Sequence, residues 1–577
     1  MAQEDWLSHK QLQIIKGVAA TPGDTYTAEN PLQVVNLMGG KITLDDWSPN
    51  IPAIKGGGVW ASSPISDGRQ LLAAPVGNVT EKMSIIISDS SHLGVQQQLT
   101  ALNQMVGNCR DYWQSEYQID PVYLMWYASC GTGPQYALIY NIELAPEYQA
   151  SPAPTLRVSV TIEREPAWRW IPPGANPKMW AYEVNLSNPQ FNYNVASLVS
   201  FTNDLINTTV QNKHEWVAAA YGLQITPISK NYLEISAAQV PGDAPALLQV
   251  SMRGASTPFA TVMMARSSKE YSGVDHLGVQ RANALILNAG DGNTASVITK
   301  TLGAAATGLI SNGSSVNYYY GQRTATGIDA NYVTAVGWGG ATGVNGIKLD
   351  RQFFRGTFAV FCRATNNSGA GVLTDMKMRV FIEEFEDNAT QYSNSITMPE
   401  VYVPLTGTGN PGNQLSYMGT VTIPFSDRAV VSPLGYGIQL QEANSNIRIS
   451  LQLKYEVATA NRIFRMLDLI FIPIDEGMIQ IVTPQNTTGG TPTLLLDNTG
   501  YLNRGDVEQA AKVYTTNANS GGIGIEVRGQ AVTLLPGIAQ RLYFLMTEYV
   551  TIAESQQTDV ATIGLNIVPR SYGIREQ

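Results

Sequence analysis

The run IRISLQLKYEV, from Ile447 to Val457, constrains the fold of this chain more than any other feature. Ile447, Ile449, Leu451, Leu453, Tyr455 and Val457 alternate with polar residues. Only an extended strand, whose side chains change sides at every residue, puts all of them on one face. LRVSVTIERE repeats the pattern, with Leu156, Val158, Val160 and Ile162 on one side. Further strand-like runs are KMSIIIS (Lys82 to Ser88), VYLMWYAS (Val122 to Ser129), YALIYNIEL (Tyr136 to Leu144), ALLQVSM (Ala246 to Met252), TFAVFCR (Thr357 to Arg363) and MKMRVFI (Met376 to Ile382). MLDLIFIPI (Met466 to Ile474) is apolar throughout and reads as a strand buried on both faces. Many short strands with turn residues between them predict a mainly β chain: an N-terminal β-sandwich with one packed amphipathic helix, then two jelly-roll-type β-sandwiches.

The helix is predicted from Ser91 to Trp113. Val95, Leu99, Leu102, Val106, Cys109 and Trp113 are spaced by threes and fours, so they share one face that should lie on a sheet. The turn Cys130-Gly131-Thr132-Gly133-Pro134 is expected to close a hairpin between the strands on either side. At 577 residues the chain exceeds what one hydrophobic core serves. Composition shifts place a first boundary between Pro172 and Asp204 and a second at the Gly/Pro-rich joint VYVPLTGTGNPGN (Val401 to Asn413). The expected units are 1–175, 176–400 and 401–577, with a loop-rich insertion from Asn288 to Ser315. The letters HLGVQ occur at His92 and at His276, but their flanks diverge and no repeat is read from them.

Charged residues make up 14% of the chain and the formal net charge is −10. A nucleic-acid grip needs clustered Lys and Arg, and here the arginines stand singly, so no direct nucleic-acid binding is expected. No apolar run approaches the ~20 residues that span a bilayer, and the N-terminus lacks a secretory pattern; a soluble chain made in a cytoplasm is expected, without membrane insertion. Cys109, Cys130 and Cys362 are odd in number and far apart, and the histidines His9, His92, His214 and His276 are scattered. Neither a disulfide framework nor a metal centre follows, and no cofactor is expected. The acidic run Glu383-Glu384-Phe385-Glu386-Asp387 and the loop at Asp497 and Asn498 offer oxygens to calcium, but lack EF-hand spacing and read as solvated faces. There is no Gly-x-Ser-x-Gly elbow and no His-Glu-x-x-His helix, and Gly39-Gly40-Lys41-Ile42 lacks the hydroxyl of a phosphate loop.

Two groups of residues remain as candidate sites. VTIEREPAWRW, Val160 to Trp170, gathers Glu163, Arg164, Glu165, Pro166, Trp168 and Trp170. Carboxylates two apart on a strand lie about 6.6 Å apart at the backbone, within range of a glycosidase pair. Arg164 and Arg169 beside them would hold both pKa values low, whereas a general acid needs a raised one. The expectation is a structural corner with no catalytic residue. Ile162 continues the buried face, Glu163 and Glu165 share the opposite face and pair with arginines, Pro166 ends the ladder, and Trp168 and Trp170 cover the edge. The second group is Tyr318, Tyr319, Tyr320 and Trp338, aromatics in loops of the middle unit that could form a glycan-contact platform, or else pack on their own domain.

The order LDDWSPNIPAIKGGGVWASSPISDGRQLL, then a strand, a helix ending in RDYW, then PVYLMWYA, ALIYNIEL and VTIEREPAW resembles bacteriophage tail proteins of the distal-tail (Dit) type over residues 30 to 175. The remainder, with GDAPALLQVSM, MMARSS, LDLIFIPIDEG, LLLDNTGYLNRG, VRGQAVTLLPGIAQRLYFL and IVPRSYGIR, resembles galectin-like or carbohydrate-module-like accessory sandwiches. The resemblance implies a non-enzymatic part of the virion tail, made in a bacterial cytoplasm. It implies a homo-oligomer, a hexameric ring of the distal tail or baseplate that links the tail tube to the hub and to receptor-binding proteins. A carbohydrate-binding adhesin or receptor-binding virion protein that contacts a host surface glycan is the alternative, and a virion-associated glycoside hydrolase is the second.

Overall fold

The computed structural model describes residues 11–16, 33–53, 59–62, 69–73, 76–114, 121–127, 135–148, 153–170, 199–202, 232–254, 259–267, 285–288, 293–294, 299–302, 319–325, 327–339, 349–350, 356–367, 375–385, 392–405, 416–423, 430–431, 438–439, 446–456, 462–475, 479–482, 493–498, 511–514, 523–551, 554–557 and 560–574. Within them the chain is mainly β, its strands pair antiparallel, and one α-helix is present.

The N-terminal unit is a sandwich folded around one long strand, Gln135–Glu147. Its first residues pair with Val122–Tyr127, which continues to Gln11–Lys16 and Gln33–Asn36. Its later residues pair with Thr155–Arg164, which continues to Val79–Ser88 and Ile42–Trp47. The register slips between Ile139 and Asn141. Such a bulge bends a strand, and here it lets one strand serve both layers.

The helix runs His92–Gln114, with the Ser91 hydroxyl accepting the Gly94 amide at 3.1 Å as its cap. It buries Val95, Leu99, Leu102, Met105 and Cys109 against Ile85, Ile87, Leu124 and Ile139. Met105 joins this buried face, and Val106 packs half-buried against the same core. Trp113 is 44% exposed, and its indole N–H reaches the Ile139 carbonyl at 3.0 Å.

The middle sandwich is built from two distant stretches. One layer holds Val560–Ser571, Ala244–Gly254 and Thr493–Asp497; the other holds Gln540–Thr551, Phe259–Ser267 and Ile479–Val482. Leu248, Val250, Val262, Met264, Leu542, Phe544, Leu565 and Ile567 fill the space between.

A third sandwich, residues 285–474, is inserted between Phe259–Ser267 and Ile479–Val482. Gly356–Asn367 pairs with both Ser416–Ile423 and Arg462–Ile474, and Met376–Phe385 pairs with Asn446–Tyr455. The boundary expected near residue 400 therefore falls inside this sandwich. Gly and Pro mark a connection without saying whether it joins domains or two sheets of one domain. The alternating run that opened the analysis buries Ile447, Ile449, Leu451, Leu453 and Tyr455 in this core. Leu469 and Phe471 face the same core, while Ile470, Ile472 and Ile474 face the middle sandwich, packing with Met263, Ile481 and Tyr543.

Val199–Thr202 pairs with Val560–Ser571, so the chain has entered the middle unit by then; residues 171–198, which hold most of the first expected boundary, lie outside the described residues. Cys109 and Cys362 are buried, and neither forms a disulfide. Cys130, its turn and the second HLGVQ lie outside the described residues. No helix among the described residues is long and apolar enough to cross a membrane.

Candidate functional site

The strand Thr155–Arg164 buries Leu156, Val158, Val160 and Ile162, and the next inward position is Arg164. The buried face thus runs one step beyond Ile162 and ends on a charge. Arg164 and Glu81 are both 0% exposed, with Nη2 donating to Oε1 at 2.6 Å and Nε to the same oxygen at 2.9 Å. Arg164 Nη1 donates to the Glu165 carbonyl at 2.9 Å and Nη2 to the Asn50 carbonyl at 3.0 Å. Its guanidinium lies 4.5 Å from the centre of the Trp168 ring. Burial pulls the Arg164 guanidinium below its usual pKa, and the Glu81 carboxylate opposes that pull. Glu81 Oε2 also accepts the Trp47 indole N–H at 3.2 Å and the Asn50 amide at 3.0 Å.

Glu163 and Glu165 differ in burial and in partners. Glu163 is half-buried and accepts Asn78 Nδ2 at 2.9 Å. Glu165 lies past the strand end, 3% exposed, and accepts Arg169 Nε at 2.7 Å, Arg169 Nη2 at 2.9 Å and the Leu138 amide at 2.8 Å. With Glu165 buried and held by Arg169, the two carboxylates are not both open to a glycosidic bond.

Pro166 interrupts the ladder without closing the domain. Pairing resumes at Trp168–Trp170, a short strand that joins Gln135–Glu147 on one side to Val560–Ser571 on the other. Proline removes one donor, and the chain re-enters as a connecting strand instead of covering an edge. Trp168 is 0% exposed, and Trp170 pairs along its backbone with Gln135. Beside this strand, Arg570 donates Nε to the Pro245 carbonyl at 2.6 Å, and burial lowers its pKa.

Of the four candidate glycan-contact aromatics, the structure describes the side chain of Trp338 alone. Trp338 is 1% exposed, in the core of the inserted sandwich on a strand that pairs it with Ile449. Glycines on both sides made it resemble a loop residue. Tyr319 and Tyr320 belong to the strand Tyr319–Ala325, opposite Leu302 and Thr301, and Tyr318 lies outside the described residues. Glu383 of the acidic run is 3% exposed and held by Arg448 at 2.5 and 2.6 Å.

Sequence reasoning missed a cleft in the N-terminal unit of about 590 Å3, lined by Trp47, Pro49, Asn50, Ile51, Trp126, Gly573 and Ile574. The Trp47 and Trp126 ring centres are 5.5 Å apart and tilted by 55°. The wall from Ser48 to Ala53 is tied to the strand behind it: Asn50 Nδ2 donates to the Thr80 carbonyl at 2.6 Å, and the Asn50 amide to Glu81. The string WSPNIP was the available signal, but its partners Trp126 and Ile574 are brought there only by the fold.

No family model matches the chain, and no curated protein matches it. Among solved structures it is similar to the baseplate of phage P2 in its activated conformation with calcium, at 10% identity and a TM-score of 0.24, over 47% of this chain and 74% of that one. It is similar to the Dit protein of SPP1 at 7% identity and a TM-score of 0.21, over 39% of this chain and 64% of that one. The VP2 protein of infectious bursal disease virus matches at 10% identity and a TM-score of 0.16, over 57% of this chain and 65% of that one. Likenesses this loose carry no argument about fold or role, and the strand pairing described above stands without them.

Proposed function

We propose that this chain is a structural component of a bacteriophage tail: a subunit of a distal-tail or baseplate ring that links the tail tube to the hub and receptor-binding proteins. The reading rests on the resemblance of residues 30 to 175 to Dit-type tail proteins. The observation that carries it is the N-terminal unit itself, a 23-residue helix laid on an antiparallel sandwich whose last long strand ends in the Arg164–Glu165 corner. Gln33–Asn36 is the outermost strand of its sheet among the described residues, with Val34 42% exposed. An open edge of this kind suits contact with a repeated subunit.

The glycoside-hydrolase alternative rested on Glu163 and Glu165, and Glu165 is 3% exposed and paired with Arg169. Mass photometry and negative-stain imaging of the purified full chain test the proposal. Sixfold rings are the expected result; a stable monomer at micromolar concentration overturns it.

A further inference from the structure

The sheet that joins the N-terminal unit to the C-terminal strand carries two arginines side by side. Arg169 stands opposite Tyr136 on one flank and opposite Arg570 on the other. Residues directly opposite in a sheet share a face, with Cβ atoms about 4.5 to 5.5 Å apart, and like charges so placed repel. Among the described residues, Glu165 is the one carboxylate that acts on Arg570. That carboxylate is already taken: it accepts two hydrogen bonds from Arg169 and a third from the Leu138 amide. We propose that Arg570 and Tyr140 form a binding site for one carboxylate group of a ligand.

Arg570 is held ready for such a group. Its Nε donates to the Pro245 carbonyl, while Nη1 and Nη2 meet no hydrogen-bond partner among the described residues. The edge left over is the fork that takes both oxygens of a carboxylate at once. The backbone beneath it is pinned. The Arg570 carbonyl accepts the Asp243 amide at 3.3 Å, and the Asp243 carboxylate accepts the Ser571 hydroxyl at 2.9 Å and the Tyr572 amide at 2.7 Å. A donor fixed before the ligand arrives loses less freedom on binding.

Tyr140 is the second observation. It packs against the cluster that holds Tyr136, Leu138 and Val568, and its hydroxyl likewise meets no hydrogen-bond partner among the described residues. Burial pushes the pKa of this hydroxyl up, Glu165 adds to the push, and Arg169 and Arg570 oppose it. It therefore lies within electrostatic range of all three charges and stays a protonated donor at neutral pH. Arg570 and Tyr140 are both partly exposed, so a ligand reaches them. A phosphate ester fits less well, because it brings about 1.5 to 2 negative charges beside the Glu165 carboxylate, where a single guanidinium is free to balance one.

The site is independent of the tail reading. The test titrates the full-length protein with 13C-labelled sodium acetate, followed by NMR line broadening, and with the capped peptide acetyl-Gly-Asp-Gly-amide, followed by calorimetry. Sodium chloride and sodium phosphate at equal ionic strength are the controls. Acetate, the peptide or both should bind in the millimolar range or tighter, and chloride should not displace them. Tyr140→Phe keeps the ring against Trp113, so it should melt like the parent while binding weakens about tenfold, the factor for one hydrogen bond to a charged group. Arg570→Lys keeps a charge but loses the fork, and should also bind about tenfold more weakly. A peptide about tenfold tighter than acetate assigns the carboxylate to an acidic side chain of another polypeptide; equal affinities assign a free small carboxylate. The site is overturned if neither probe binds, if phosphate binds more tightly than acetate, or if either variant binds like the parent. A sixfold ring that binds neither probe overturns this site alone, and a stable monomer that binds one overturns the tail proposal alone.

Discussion

Glu81→Gln removes one charge from a pair in which both side chains are 0% exposed. The substitution is nearly isosteric, so packing is kept and the electrostatic loss stands out. Arg164 would retain its carbonyl partners and its place against Trp168 but would face an amide instead of a carboxylate. Leaving one member of a buried ion pair without its counter-charge costs about 3 to 5 kcal/mol. The upper half of that range is expected, because Glu81 also accepts from Trp47 and from the Asn50 amide. For a unit of this size each kcal/mol moves a melting transition by ~2 to 4 °C, giving a fall of ~8 to 20 °C.

Differential scanning calorimetry reads the shift, and hydrogen exchange localises it to Val79–Ser88 and Thr155–Arg164. The decisive control is the double variant Glu81→Met with Arg164→Met. Replacing a whole buried pair by apolar groups removes the uncompensated charge but leaves the Trp47 and Asn50 N–H groups without their acceptor, so this protein should melt between Glu81→Gln and the parent. A Glu81→Gln transition that coincides with the parent's refutes the reasoning, and so does a double variant as unstable as the sum of its singles.

Other outcomes follow from the same geometry. Trp168→Ala empties a site 0% exposed and removes the ring beneath Arg164; a loss of about 3 to 5 kcal/mol by denaturant titration is expected, and an unchanged midpoint contradicts the corner's role. Gly242→Ala places a Cβ 2.1 Å from the Arg570 carbonyl at a φ of +116°. It should cost at least ~1 to 3 kcal/mol and raise exchange at the end of Val560–Ser571; parent-like exchange there would refute it. Burial pushes the Cys109 thiol up to about 12, and Cys362 is 0% exposed. Native Cys130→Ser protein should therefore resist thiol reagents at mildly alkaline pH, where a free cysteine is part thiolate. Rapid labelling would show that one of these cores opens.

The alternating runs were legible because period two is written in the residues themselves, and so was the helix with its stripe from Val95 to Cys109. The nesting of the sandwiches was not. Strand partners such as Gln249 and Asn566 lie hundreds of residues apart, and nothing local marks them. Arg164 shows a subtler limit. Alternation put it on the inward side, but its charge argued for solvent, and its counter-charge at Glu81 belongs to another strand. Trp338 was misplaced for the opposite reason: flanking glycines suggested a loop, whereas Gly337 sits close to Ser450 across a packed sheet. Trp47 and Trp126 could be seen singly, but not as a pair.

The strand Val560–Ser571 lies between Trp168–Trp170 and Ala244–Gly254 in one continuous sheet. Translation delivers these neighbours at very different times. Some 390 residues separate Trp170 from Val560, which at 5 to 20 residues per second is a delay of about 20 to 80 s. Throughout it, each nascent chain carries a bare strand edge that its own C-terminal segment has yet to cover. The inserted sandwich, with all its strands between residues 285 and 474, closes on itself while the ribosome is still working. Copies emerging side by side on one messenger RNA therefore meet with identical open edges, the arrangement most prone to strand exchange between chains.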